Sequence, residues 1–150
     1  MEAREIYLFL HVLSAIVWVG GSVLIQVFGA RAGRSGDQAR ILTFAKDMEV
    51  AGRIFTVAGF SAALWGILMV VDIEVYDWDQ AWITIGLTGV VVSAVLGAAF
   101  FAPQTRKLIA QLEGGDGGAA ATMRRIVVVS QAELLLLLVV VWAMTAKPGL

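Results

Sequence analysis

The sequence predicts an all-α integral membrane protein, a bundle of four transmembrane helices with the N-terminus and the C-terminus both extracytoplasmic. Hydrophobic residues make up 59% of its 150 residues and charged residues only 15%, whereas soluble domains average about 45–50% and about 25%. Four apolar segments are long enough to cross a hydrocarbon core of roughly 30 Å, which needs about 20 residues. The basic residues are also concentrated in alternate connections between these segments.

The four predicted spans form a single domain over residues 1–150. The first covers residues 6–30 and greatly exceeds the apolar core of a signal peptide, about 7–15 residues, so we expect a retained helix. The second covers residues 54–71, and the third covers residues 82–102. We expect the third to stop at Pro103, since proline has no N–H for the helical hydrogen bonds. The fourth span covers residues 126–146.

The connections between the spans differ in charge. Nine of the eleven Lys and Arg residues lie in segments 31–53 and 103–125, whereas segment 72–81 holds four acidic residues and no basic one. The positive-inside rule assigns the basic side to the cytoplasm. We therefore expect a multi-pass protein of the plasma (cytoplasmic) membrane, here the bacterial inner membrane. Segment 31–53 also mixes apolar and charged positions, which is typical of a short amphipathic helix on the inner surface.

Two spans carry small residues at four-residue spacing, which places them along one face of each helix. Helices in lipid associate by close packing at such residues. We favour packing within one chain over the alternative, the seam of a homodimer. The residues are Ala58, Ala62 and Gly66 in the second span, and Gly89, Ser93 and Gly97 in the third.

A buried polar cluster is predicted in the inner leaflet around Glu133. An ionisable residue inside a span costs roughly 2.5–3.5 kcal/mol on insertion scales, so it needs a partner or a function. Gln26 and Ser130 lie near the same membrane level in their own spans, and Arg53 enters the second span from the same side. We expect Glu133 to accept hydrogen bonds from Arg53, with Gln26 or Ser130 completing the cluster. The cluster either fixes the helix register or forms a proton or substrate site.

The only histidine, His11, is the candidate ligand of a cofactor near the outer side. It shares one helix face with Ser14, and Met69 and Met144 lie at a similar depth in the second and fourth spans. An imidazole with a thioether can ligate haem iron or copper. The alternative is a histidine that hydrogen-bonds a neighbouring helix, with methionines that only pack.

Several function classes are excluded or unsupported by the residues present. The chain has one histidine and no cysteine, so it cannot form a bis-histidine haem site or a thiolate metal site by itself. No phosphate loop or metalloprotease helix motif occurs. No basic stripe with interleaved aromatic residues indicates nucleic-acid binding. These absences leave open whether the protein is an enzyme.

Short motifs along the chain resemble an uncharacterised family of four-helix bacterial integral membrane proteins, a domain of unknown function. This resemblance extends over nearly the whole chain and implies a fold without an activity. The motifs are Leu10-His11-Val12, Trp18-Val19-Gly20-Gly21, Trp65-Gly66-Ile67, Phe101-Ala102-Pro103, Arg124-Arg125-Ile126, Ser130 and Glu133-Leu134-Leu135.

The spacing of His11, Trp18 and Gly20 is also similar to that in the copper-resistance CopD membrane domain and in HemJ, a haem-associated protoporphyrinogen oxidase. The resemblance to HemJ implies haem binding through His11. HemJ uses a lysine four residues after a tryptophan early in its third helix, whereas this chain has Gly86 after Trp82. That difference argues against protoporphyrinogen oxidase activity.

Two functions are therefore carried forward. The first is a structural, accessory or self-associating component of the lipid bilayer, with a homo-oligomer or a membrane complex as its partner. The alternative is a redox membrane protein that binds haem b or copper through His11.

Overall fold

The computed structural model describes residues 2–148 as four long helices with short connections. We label them α1 (Ala3–Arg34), α2 (Gln38–Asp72), α3 (Ala81–Gly114) and α4 (Ala119–Ala146). All four are long and apolar enough to cross a membrane, and residues 2–148 contain no strand. The predicted all-α fold with four membrane-spanning helices is confirmed.

The helices are longer than a membrane requires, and the excess forms a cap. They contain 28 to 35 residues, which at 1.5 Å per residue corresponds to roughly 42–52 Å against a hydrocarbon core of roughly 30 Å. We call segments 31–53 and 103–125, which hold nine of the eleven basic residues, the cap. Its apolar core includes Ala45 and Leu108, both fully buried, and Met123.

Segment 31–53 does not contain a separate helix on the membrane surface, so that prediction is wrong. Helix α2 begins at Gln38, where the Asp37 side chain accepts a hydrogen bond from the Ala39 N–H, and it runs without interruption to Asp72. The apolar side chains of this segment, among them Phe44 and Met48, pack against the cap core of the same chain rather than against lipid. Packing on α3 and α4 therefore makes this segment an extension of a membrane span.

Helix α3 continues through Pro103 to Gly114, so the expectation that Pro103 ends the third helix is also wrong. A π-helical turn over Gly97–Phe101 precedes the proline, and the Ala102 N–H donates to the Gly97 carbonyl, five residues back. A π turn adds one residue to the helix. We attribute the continuity of α3 to this wider turn, which relieves the clash between a proline ring and the preceding carbonyl groups. A second π turn, Ile16–Gly20, lies within α1.

Most of the small residues of the second and third spans pack inside the bundle, but a Cβ on Gly97 would meet no other atom within 4 Å. A Cβ on Gly66 would lie 3.2 Å from the His11 ring, and a Cβ on Gly59 would lie 3.4 Å from the Trp18 ring. On the other side of the bundle, Gly89 lies against Val140 of α4. These residues therefore bring α1 close to α2 and α3 close to α4, as expected for packing within one chain.

The end of the bundle opposite the cap is closed by aromatic side chains. Tyr76, in the connection between α2 and α3, packs edge-on against Trp82 with ring centroids 4.9 Å apart. Lys147, just after α4, places its Nζ 4.6 Å from the centroid of the Tyr76 ring. These contacts attach the end of α4 to the connection between α2 and α3.

Candidate functional site

The first candidate site surrounds His11 in the interface between α1 and α2. The Nδ1 atom lies 2.7 Å from the carbonyl oxygen of Ala62. Because a carbonyl only accepts, Nδ1 carries the proton in this bond. In the neutral imidazole, Nε2 is then the nitrogen with a free lone pair, which is the form that binds metals.

A hydroxyl and indole network continues from this site along the same interface. The Ser61 hydroxyl of α2 lies 3.0 Å from the Ser14 hydroxyl of α1. It also accepts a hydrogen bond of 3.0 Å from Nε1 of Trp65, whose ring stacks on Tyr7. The polar side chains on this stretch of α1 and α2 therefore join the two helices.

The two methionines proposed with His11 lie in different environments. The methyl group of Met144 occupies the space beside Gly86, in the interface between α3 and α4, whereas His11 lies between α1 and α2. Met69 is half-buried on α2, three residues beyond Gly66 and hence near the face that contacts the His11 ring. Residues 2–148 contain no group of three His, Asp or Glu side chains arranged for a metal. Of the two methionines, Met69 is therefore the one on the helix that His11 contacts.

The second candidate site lies closer to the cap, where α1 meets α4. The Gln26 Nε2 donates to the Ser130 hydroxyl over 2.9 Å, and this hydroxyl donates to the Val127 carbonyl. Gln26, Ser130 and Gln131 supply polar groups to a cavity of about 50 Å³ that also borders Met123 of the cap. A cavity of that volume has room for water, which needs at least about 10–15 Å³ and polar partners such as these three side chains.

Glu133 lies one turn beyond Ser130 and faces α3 rather than α2. Its carboxylate lies beside the Ser93 hydroxyl. Ser93 is 5% exposed, and its hydroxyl does not reach hydrogen-bond geometry with Glu133 or any other described residue. The three ion pairs formed within residues 2–148 do not include Glu133.

The predicted bond between Glu133 and Arg53 is not formed. Arg53 lies in an open groove of about 470 Å³ between α1 and α2, together with Leu13, Val17 and Val57. Glu133 instead faces α3. The sequence places both residues at a similar depth in the membrane. Depth alone does not determine on which face of its helix each side chain lies. The long stem of arginine can lie along apolar groups at the lipid surface, so its charge need not turn inward.

Sequence reasoning missed three polar participants. The four-residue spacing of Gly89, Ser93 and Gly97 indicates helix packing, and it does not indicate that the Ser93 hydroxyl lies beside Glu133. Ser61 was not singled out, and Trp65 was noted only within a family motif, although their four-residue spacing on α2 indicates that the two side chains can meet.

No curated protein and no solved structure matches this chain. A family model described as "Predicted integral membrane protein (DUF2269)" matches residues 5–148 and thus nearly all of the four helices and their connections. The four membrane-spanning helices agree with that description. The chain therefore belongs to the DUF2269 family of integral membrane proteins.

Proposed function

We propose that this integral membrane protein is a non-enzymatic, accessory component of a membrane assembly, and that Glu133 contacts a partner helix. The observation that carries the proposal is the Glu133 side chain, which is half-buried beside Ser93 of α3 and forms no ion pair within residues 2–148. An ionisable residue inside a span costs roughly 2.5–3.5 kcal/mol on insertion scales. A donor from a second chain would offset that cost.

The other polar side chains inside the membrane support a structural role. His11 bonds Ala62, and Gln26 bonds Ser130, in each case across a helix interface. Such bonds contribute on average about 0.6 kcal/mol each in a membrane protein. A catalytic site would instead need several free groups that converge on one position.

The carboxylate of Glu133 favours a partner that brings a cation or a strong hydrogen-bond donor. A charged residue in the membrane interior is expensive and is nearly always paired, and no ion pair within residues 2–148 includes Glu133. A lysine, arginine or amide side chain from another helix would complete the site. This helix belongs either to a second copy, which makes a homo-oligomer, or to a different membrane protein.

The test is purification in a mild detergent with the mass of the particle measured by light scattering. The wild type is expected as a homo-oligomer or with a co-purifying protein, and Glu133→Leu is expected to run as a single chain. Gln26→Leu is the matched control, because it removes a polar group that is already satisfied within the chain. A single-chain wild type, or dissociation by both substitutions alike, would contradict the proposal.

We propose that the cap faces the cytoplasm of a bacterial inner membrane and that both termini lie outside. The support is the charge distribution, since nine of the eleven basic residues belong to the cap. The connection between α2 and α3 is acidic and lies at the opposite end.

A second candidate function, redox chemistry at haem b or copper, is favoured by one observation. The bond from His11 to Ala62 leaves Nε2 free, and backbone carbonyls often orient metal-binding histidines in this way. The similarity of the first-helix motif to CopD and HemJ supports the same choice. A bound haem or copper would supply one-electron transfer. In this chain the Ala62 carbonyl would hold the proton on Nδ1, and the Met69 thioether would be the second ligand.

The test of this second function is an oxidised and a reduced visible spectrum of detergent-purified protein, with metal analysis of the same sample. A Soret band or stoichiometric copper that His11→Ala removes and Met144→Leu retains would support it. A folded wild type without colour or metal would rule it out and leave His11 with its structural bond.

A further inference from the structure

We infer that the groove containing Arg53 binds an anionic phospholipid of the cytoplasmic leaflet, with the phosphate on the guanidinium and one acyl chain along the groove. This site is separate from Glu133 and His11 and goes beyond the function proposed above. We call it the Arg53 groove; it is lined by Leu13, Ser14, Val17, Arg53, Ile54, Val57, Ala58 and Ser61.

The shape and lining of the Arg53 groove suit an acyl chain. Its walls are apolar side chains of α1 and α2, and Val57 is 71% exposed and Ile54 52% exposed, so no other part of the described chain covers them. From Arg53 to Ser61 the groove follows α2 for about 12 Å at 1.5 Å per residue. It is open along its side, which allows a chain to enter from the surrounding bilayer.

The charge at one end of the groove complements a phosphate. No acidic side chain lines the groove. None of the three ion pairs within residues 2–148 includes Arg53, whereas Lys46 and Arg106 of the cap are each paired with a glutamate. A guanidinium binds phosphate oxygens in a bidentate manner. Only a ligand with an anionic head and an apolar tail satisfies both parts of the groove.

The position of Arg53 along α2 agrees with a headgroup of the inner leaflet. It directly precedes the apolar stretch 54–71 and lies on the side of the cap. With the cap in the cytoplasm, this is the leaflet whose surface is negatively charged, and such lipids are attracted to basic positions at helix ends. Arg53 is therefore placed to hold a lipid that lies between α1 and α2.

The experiment is lipid titration of the full-length protein in mild detergent, with bound lipids counted by native mass spectrometry. The probes are phosphatidylglycerol and phosphatidylcholine with the same acyl chains. We expect wild type to bind one phosphatidylglycerol about fivefold more tightly than phosphatidylcholine, since one basic side chain contributes about 1 kcal/mol at an anionic surface. Arg53→Gln is expected to abolish this preference, and Arg53→Lys to retain most of it.

Two further variants separate the groove from general electrostatics. Arg40→Gln removes an exposed cap charge outside the groove and is expected to leave the preference unchanged. Val57→Trp fills the groove and is expected to weaken the binding of both lipids while Arg53 remains. Equal effects of Arg40→Gln and Arg53→Gln would overturn the inference, as would displacement of the lipid by millimolar inorganic phosphate. Thermal unfolding in detergent checks that each variant is folded.

Discussion

His11 of α1 and Ala62 of α2 are joined by a hydrogen bond from the imidazole Nδ1 to a backbone carbonyl, over 2.7 Å. This carbonyl lies in the middle of a helix and already faces its own helical N–H, so the bond adds a second acceptor interaction without breaking the helix. Gly66 gives the imidazole its space, because a side chain there would press on the ring. The interface of α1 and α2 therefore depends both on the hydrogen bond from His11 and on the absence of a side chain at Gly66.

Replacing His11 with alanine is expected to destabilise the protein by about 1–2 kcal/mol, through loss of an interhelical bond and of ring packing on Gly66. Unfolding in mixed detergent micelles measures the change. Val12→Ala is the control, since Val12 is 45% exposed and faces lipid. Equal losses for the two variants would show that the bond to Ala62 contributes nothing specific.

Gly89→Ala is expected to destabilise the interface of α3 and α4 by about 1–3 kcal/mol, the usual range for overpacking. The new Cβ would clash with Cγ2 of Val140, a stiff β-branched side chain. Val140→Ala in the same chain is expected to restore part of the loss. A double-mutant cycle on unfolding free energies measures the coupling.

Gly52→Ala is the control for Gly89→Ala, because it makes the same substitution at a helical glycine that contacts no other helix. No atom lies within 4 Å of a Cβ at Gly52, so the substitution should leave stability unchanged or raise it through helix propensity. A coupling energy near zero between positions 89 and 140 would mean that the two helices adjust their separation freely.

The proposed orientation can be tested by cysteine labelling, because the chain contains no cysteine of its own. A single cysteine at Glu74, in the exposed outer connection, should react with a membrane-impermeant maleimide in intact cells. A cysteine at Gly117, exposed in the cap, should react only after the cells are opened. The reverse pattern would place the cap outside and contradict the charge argument.

The cap is expected to depend on its apolar core more than on its ion pairs. Leu108 is fully buried, and Leu108→Ala should cost about 2–5 kcal/mol. Lys46→Ala breaks a 2.7 Å ion pair with Glu113, but both side chains are about half exposed, so the expected cost is below about 1 kcal/mol. Thermal unfolding in detergent, repeated at high salt, distinguishes the two contributions, since only the second should fade with salt.

Composition and hydropathy were sufficient to predict the fold class and the four spans, because lipid imposes a strong and simple requirement on each helix. They could not give the ends of the helices. A hydropathy window stops where charged residues appear, yet α2 extends from residue 53 back to Gln38 because its apolar side chains pack within the cap. The predicted helix end at Pro103 was wrong for a related reason, since the residue types do not indicate the π turn that precedes the proline.

The sequence was sufficient to predict the depth of the polar residues in the membrane, but not the neighbouring helix that each side chain faces. Gln26 and Ser130 were expected to complete a cluster around Glu133, but they bond each other and the Val127 carbonyl instead. Arg53 and Glu133 share a depth as well, but one side chain lies in a lipid-facing groove and the other beside α3. Direction depends on how the four helices are rotated about their axes, which is a property of the packed bundle.

The π turns divide the four helices of the bundle into two types. Helices α1 and α3 each contain one, at Ile16–Gly20 and Gly97–Phe101, whereas the described parts of α2 and α4 are regular throughout. A regular helix resists bending, and a π turn is a place where kinks form. The bundle thus combines two regular helices, α2 and α4, with two helices that each contain a site where bending is easier. Bending of the bundle is therefore expected at Ile16–Gly20 of α1 and at Gly97–Phe101 of α3 rather than within α2 or α4.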